Sequence, residues 1–302
     1  MMKIDSFLFN DEFDILKIRL EYLNSHIDKF YIAEAPITHA GDKKELLFKK
    51  NSHLFKKYLH KIEYIEVCKD GIYSDKEDLF GLPNNKKSSS IVTTSRTELG
   101  RFMAQTLNNA TIHYSDVDEI PVISKLKKCK DENLYLLSGS LYYYFCNLKC
   151  TDFPLDRMPW GIIFNSKTFS DEITLTYYRN LVFQIQARYY GSTYQYSGLA
   201  ARLKLFKEIK YIESTYKLKV LRNSCYHFSY LGGAEAVMKK ISATCHTELS
   251  STVKDLSIDD FSKIINNKRD VYGRELNFKL VNENFDIETD IKKLIPRNLL
   301  MK

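Results

Sequence analysis

Ile112-His113-Tyr114-Ser115-Asp116-Val117-Asp118-Glu119-Ile120-Pro121 is the stretch on which the reading of this chain turns. Its first residues favour an extended strand. If that strand runs through Asp116-Val117-Asp118, alternate side chains share a face, so both carboxylates project together while Val117 points away. Pro121 then stops the strand. Upstream, β-rich runs at residues 4–9, 30–35, 62–67 and 111–115 alternate with helical patterns. Ile15, Ile18 and Leu23 recur at helical spacing, and residues 52–59 and 98–107 read as further helices. A βαβαβαβ order predicts a mainly parallel sheet covered by helices, and ligands bind such sheets at the carboxyl ends of their strands. The acidic segment stands at such an end.

The second half is β-rich at first. Residues 134–147, with Tyr142-Tyr143-Tyr144-Phe145, predict one or two strands, and Pro159-Trp160-Gly161 predicts a turn leading into another. Residues 199–212 read as a basic helix. Residues 226–231 alternate as a strand, Gly232-Gly233 breaks it, and residues 234–244 predict a helix. The polar run Asn84 to Ser90 reads as a mobile loop, and the C-terminal residues are weakly patterned. No internal repeat is present, and residues 1–302 read as one domain.

With 44% hydrophobic and 27% charged residues the chain is neither wholly disordered nor fibrous. The net charge of +7 comes from scattered doublets, Lys43-Lys44, Lys49-Lys50, Lys56-Lys57 and Lys127-Lys128, and not from a basic tail. Such a surface is either simply solvated or drawn to an anion: a diphosphate, a phospholipid head group or a nucleic acid. Interspersed charge makes a non-enzymatic binder of nucleic acid or anionic membrane the weakest functional reading; no nucleic-acid partner is expected, and peripheral association with an anionic membrane stays open. The six cysteines form no disulfide framework, and Cys146 and Cys150 lack the second close pair that a structural zinc site needs. Asp5, Asp11, Glu12 and Asp14 interrupt any signal-peptide core, and the most apolar stretch, 134–148, is too short to span a bilayer as a helix. A cytoplasmic chain is the expectation.

Two carboxylates with open positions suit Mn²⁺ or Mg²⁺ holding phosphate oxygens. Two enzyme classes use such a pair. In a nucleotide-sugar transferase the metal neutralises charge developing on the diphosphate leaving group. In a phosphohydrolase of the haloacid dehalogenase type Asp116 would be nucleophile and Asp118 general acid, and Asp259-Asp260 is the one pair available for its later acidic motif. A basic, non-enzymatic binder of anionic polymers or membranes is a third reading.

The sequence resembles glycosyltransferase family 17, which includes the β-1,4-mannosyl-glycoprotein N-acetylglucosaminyltransferase. The resemblance rests on Phe7-Leu8-Phe9-Asn10-Asp11-Glu12-Phe13-Asp14-Ile15-Leu16 with Arg19-Leu20, on Phe30 to Glu34 with Thr38 and Gly41, and on Ser115 to Pro121. It continues with His227-Phe228-Ser229-Tyr230-Leu231-Gly232-Gly233, Lys240-Ile241 and His246. The chain departs from the family in carrying Ser95-Arg96-Thr97-Glu98 and Arg101 ahead of the acidic segment, and Tyr226 where Trp is expected. The resemblance implies a GT-A type, Rossmann-like mixed sheet flanked by helices, with a nucleotide-binding half over 1–125 and an acceptor half over 126–302. It also implies a UDP-sugar donor, UDP-GlcNAc first among them, a glycan or glycolipid acceptor, a divalent metal, and inversion to a β-linkage.

On that reading Asp118 contacts the metal directly, and Asp116 contacts the ribose or reaches the metal through water. His246 and His227 are candidates for a further metal or diphosphate contact, against the plainer role of a structural histidine. Inversion needs a base for the acceptor hydroxyl. Glu235, at a helix start after the glycine pair, is the first candidate, against a simple favourable charge at a helix N-terminus; Glu119 and Asp156 are the alternatives. Asn10, Glu12 and Glu34 lie at or just after strand ends where uracil or ribose would be met, and Arg101 is a candidate for the diphosphate, against an ordinary first-turn charge for Glu12 and a surface ion pair for Arg101. Trp160 either stacks on a sugar or packs in the core.

Overall fold

The computed structural model describes residues 1–69, 86–130, 133–152, 159–168, 218–243, 253–281 and 287–301. Among them β1 (Met2–Phe9), β2 (Lys29–Glu34), β3 (Ile62–Glu66) and β4 (Ala110–Tyr114) are the four strands expected in the first half, and they lie parallel in the order β3-β2-β1-β4. Beyond β4 the sheet turns antiparallel. β5 (Glu119–Pro121), β6 (Tyr135–Tyr143), β7 (Leu148–Cys150), β8 (Pro159–Asn165), β9 (Lys219–Ser229) and β10 (Phe278–Leu280) complete a ten-stranded mixed sheet. It continues from β4 as β8-β6-β7-β10, while β9 runs parallel to β6 and takes β5 as its antiparallel partner.

Strand alternation distributes the core. Phe7 and Phe9 of β1 and Phe30 and Ile32 of β2 pack with Ile15, Leu16, Ile18 and Leu23 of α1 (Phe13–Leu23) on one face. Ile4, Leu8, Tyr31 and Ala33 face the other way, against Leu99 and Met103 of α3 (Lys86–Thr106). Fully burying one such apolar side chain stabilises by about 1.5–3 kcal/mol. The helices therefore clamp the parallel strands from both sides, and the C-terminal ends of β1, β2 and β4 come out together.

Several sequence expectations change. Residues 52–59 are not one helix: α2 is Leu47–Asn51, followed by the 3₁₀ turns Ser52–Phe55 and Leu59–Lys61. Within the expected loop, Lys86 to Ser90 form the start of α3, while Asn84 and Asn85 lie outside the described residues. A short α4 (Ile123–Leu126) follows β5, and α5 (Gly233–Ala243) follows Gly232 as expected. The weakly patterned C-terminal part holds α6 (Ile258–Asn266), started by a capping box between Ser257 and Asp260, and α7 (Thr289–Lys292). The stretch 199–212 lies outside the described residues. The five described cysteines are all free, and no helix among the described residues is long and apolar enough to cross a membrane.

Gly139 fixes how β6 and β9 meet. The pairing of β6 with β9 jumps from Leu137↔Leu221 to Gly139↔Cys225, and a Cβ on Gly139 would sit 1.6 Å from the carbonyl oxygen of Cys225. No rotamer relieves a clash with backbone. Gly139→Ala is expected to separate β6 from β9 at a cost of roughly 3 kcal/mol or more. A denaturant midpoint matching that of the unsubstituted chain would refute the expectation.

Candidate active site

The strand bearing the acidic segment stops earlier than its composition suggests. β4 ends at Tyr114, Asp116 to Glu119 form a turn closed by the Glu119 N–H donating to the Asp116 carbonyl at 3.0 Å, and β5 begins at Glu119. Asp116 and Asp118 therefore do not share a strand face. The physical reason is a buried guanidinium. Arg19 of α1, fully buried, makes two 2.8 Å bonds to the Asp5 carboxylate, and its Nη1 donates to the carbonyls of Asp116, Val117 and Glu119 at 2.7, 3.1 and 3.1 Å. Its Nη2 also donates to Ser115 Oγ at 2.9 Å. Three carbonyls converging on one cation bend the backbone into a turn that a strand ladder would straighten.

Asp5 is the counter-charge of this network, with His113 Nδ1 2.6 Å from its Oδ1. Burial alone would raise its carboxyl, but Arg19 and His113 outweigh burial and hold it at about 2. A folded-state pKa below the unfolded value of ~3.9 gives stability that is present above about pH 4 and lost as pH falls toward 2. The shift corresponds to roughly 2 kcal/mol. Denaturant unfolding at pH 6 and at pH 2.5 is expected to show most of that loss, with a shallower dependence in Asp5→Asn; equal stability at both pH values would dismiss it.

The turn presents its carboxylates to two cations. Asp118, buried, has its Oδ2 2.7 Å from Lys240 Nζ of α5 and 3.6 Å from His227 Nε2 of β9. Asp116 has its Oδ1 3.3 Å from Arg96 of α3, whose Nε donates to Tyr114 Oη at 3.0 Å. Burial pushes the Asp118 carboxyl up, yet Lys240 and His227 more than reverse this and hold it well below the usual carboxylate range. Burial likewise opposes the Lys240 charge, and Asp118 and Glu12 together hold it well above the ordinary lysine value. At neutral pH Asp118 is an anion and Lys240 a cation. Lys239 extends the contact to Asp11 at 2.6 Å, and Lys240 lies 3.9 Å from Glu12.

Glu12 folds back on the chain just before α1, its Oε2 accepting the N–H groups of Asn10 and Asp11 at 3.1 Å each, and burial is the main cause that raises its carboxyl. Beside it a narrow cleft, with room for about one water molecule, is lined by Leu8, Asn10, Ala33, His39, Lys44 and Ser95, among others. His39 joins cleft and acidic turn: burial first, and then Arg96, push its imidazole down to about 4, so it is neutral at pH 7.

The structure thus brings Asn10, Glu12, Asp116, Asp118 and His227 together. Other candidates take different places. Glu34 is fully buried, accepting the N–H of Leu47 at 2.6 Å, Lys44 Nζ at 3.0 Å and Tyr64 Oη at 3.0 Å; it anchors the start of α2 and has no face left for a nucleoside. Glu119 is also fully buried, accepting the Asp116 N–H at 2.7 Å, so it shapes the turn and has no route to an acceptor hydroxyl. Trp160 is buried, donates to the Gly139 carbonyl at 3.1 Å and meets the His227 ring edge-on at 4.2 Å, which makes it core and not a sugar platform. Arg101 is exposed further along α3, and Arg96 is the α3 arginine that meets Asp116. Glu235 is exposed on the first turn of α5, one turn before Lys239. His246 and Asp156 lie outside the described residues.

Sequence reasoning gave no role to Arg19, Arg96 or His39. For Arg19 a signal existed: a charged residue at an apolar position of α1, between Ile15 and Leu23, opposite an Asp in the middle of a buried strand. Arg96 and His39 carried no such mark, because an arginine on a helix and a histidine in a loop are ordinary surface residues.

A divalent ion would find suitable donor types in this cluster: the carboxylates of Asp118 and Asp116 and the imidazole of His227, whose buried Nδ1 has no hydrogen-bond partner. Lys240 already holds a positive charge against Asp118, and no three such donors converge among the described residues, so an ion would exchange with that ammonium.

Among solved structures, the glycosyltransferase GlyE of Streptococcus pneumoniae TIGR4 is similar at 14% identity and TM-score 0.33, over 73% of this chain and 45% of that one. The chain thus spans less than half the length of GlyE. The inositol-1-phosphate CTP transferase of T. maritima is similar at 9% identity and TM-score 0.34, over 75% of this chain and 89% of that one. No curated protein sequence matches. The model of glycosyltransferase family 17 matches residues 2–179, more than half of the chain and inclusive of β1, the acidic turn and the cleft, and the chain belongs to that family.

Proposed function

We propose that the protein transfers a sugar, GlcNAc from UDP-GlcNAc in the first instance, onto a hydroxyl of a glycan or glycolipid acceptor with inversion to a β-linkage. The observation that supports this reading is the pairing of Asp118 with Lys240 and of Asp116 with Arg96 beside a cleft at the carboxyl ends of β1 and β2. The nucleoside would lie over the mouth of the cleft, against Asn10, His39 and Lys44. Lys240 and Arg96 face the diphosphate and offset the charge that grows on it as the C1–oxygen bond breaks. Asp118 and Asp116, with His227 or His246, would hold Mn²⁺ or Mg²⁺, which when bound supplies Lewis-acid neutralisation of the same leaving group. Glu235 takes the acceptor hydroxyl proton as the oxygen attacks C1 from the opposite side.

Membership of family 17 favours this reading over the phosphohydrolase. The test is UDP release from UDP-GlcNAc by the purified protein with Mn²⁺, with and without chelator. Metal-dependent release is expected. Absence of both turnover and binding, with UDP-GlcNAc and with other UDP-sugars, overturns the proposal.

A further inference from the structure

We propose that the outer face of residues 47–61 docks on an anionic phospholipid bilayer. These fifteen residues contain Lys49, Lys50, Lys56, Lys57 and Lys61 together with His53 and His60, and no Asp or Glu. Their inner face is fixed. Phe48, Phe55 and Tyr58 are buried, with the rings of Phe48 and Phe55 stacked at 5.6 Å and those of Phe13 and Phe55 at 6.2 Å. The segment is therefore a preformed surface, with no ordering cost when something binds its outer side.

The outer side combines two features. Leu54 is the most exposed large apolar side chain among the described residues, at 63%, and Leu59 is exposed at 41%. Around them three lysines form ion pairs at the surface, Lys49 with Glu66 at 3.4 Å, Lys50 with Glu45 at 2.7 Å and Lys57 with Glu21 at 2.6 Å, each lysine side chain at least 60% exposed, while Lys61 is turned inward to the carbonyls of Asn24 and Ile27 at 2.6 and 2.9 Å. Lys56 makes no ion pair among the described residues. Exposed pairs of this kind are weak, so a lipid phosphate competes readily for each ammonium. Leucines flanked by lysines suit the boundary between head groups and acyl chains, where apolar side chains enter the membrane and ammonium groups stay at phosphate level. A single-stranded nucleic acid would instead use large aromatic rings as stacking platforms, and Phe48, Phe55 and Tyr58 face inward, leaving only the imidazoles of His53 and His60 outside. Its placement leaves the acidic turn unaltered, so it does not depend on the assigned chemistry.

The experiment is co-sedimentation of the full chain with phosphatidylcholine vesicles, with and without phosphatidylglycerol, over a range of salt. Binding is expected only to the mixed vesicles and is expected to weaken with salt. Lys56→Glu should weaken it by at least about fivefold. Leu54→Glu combined with Leu59→Glu should abolish it while leaving the thermal unfolding profile unchanged. Equal binding to both vesicle types, or no binding to either, overturns the proposal. So does binding that tolerates the leucine changes, or a tighter association with a single-stranded oligonucleotide, which would mark a general polyanion surface.

Discussion

Arg19→Met is expected to destabilise the protein by about 3–5 kcal/mol, enough to lose most of the folded population of an ordinary domain. The substitution keeps much of the volume but leaves the fully buried Asp5 carboxylate with His113 in place of a cation, and removes the guanidinium donor from the carbonyls of Asp116, Val117 and Glu119, of which Asp116 and Glu119 retain Ser115 Oγ. Replacing the partner as well, in Asp5→Leu/Arg19→Met, should recover only part of the loss, because the Val117 carbonyl still lacks its guanidinium donor and the other two are left with fewer donors. Arg19→Lys separates charge from geometry. An ammonium retains the ion pair with Asp5 but cannot span the carboxylate and three carbonyls as the planar fork does. The lysine variant should therefore fold, and lose activity through a loosened acidic turn. Denaturant midpoints and UDP release measured on the three variants decide the matter. A methionine variant as stable as the parent chain would dismiss the role.

Asp118→Asn carries the largest expected effect on turnover, a fall of about 10²- to 10³-fold in kcat, the magnitude lost when one preorganised electrostatic partner is removed from a transition state. The volume is preserved. Lys240 loses its 2.7 Å partner, but Glu12 stands 3.9 Å away and the lysine side chain is 29% exposed, so the change leaves no stranded buried charge. Thermal unfolding should therefore shift little while UDP release collapses. Full turnover in the asparagine variant would remove Asp118 from the mechanism.

The fold was legible in the first half of the chain because its strands are short, β-rich and separated by helical periodicity. The four parallel strands and α1 follow from that pattern. The second half was less so. That β9 lies against β6 depends on Gly139, where a missing side chain lets two backbones touch. A lone glycine in a strand carries no instruction about which strand it meets. The site divides in the same way. Asp116 and Asp118 stood out by spacing, but their expected common strand face gave way to a turn. Glu34, Glu119 and Trp160, each plausible by type and position, proved to be buried parts of the scaffold.

By itself the sequence determined the parallel half of the sheet, the placing of an acidic segment at the carboxyl ends of its strands, and the family motifs carried by that frame. These are local properties, set by side-chain period, turn residues and strand propensity. Only the tertiary structure decided which cation faces which carboxylate: Lys240 lies 122 positions from Asp118, and Arg19 lies 97 from Asp116. Such pairs form because burial makes an unpartnered charge costly, and which partner satisfies that cost is set by the packing of α1, α3 and α5 around the sheet.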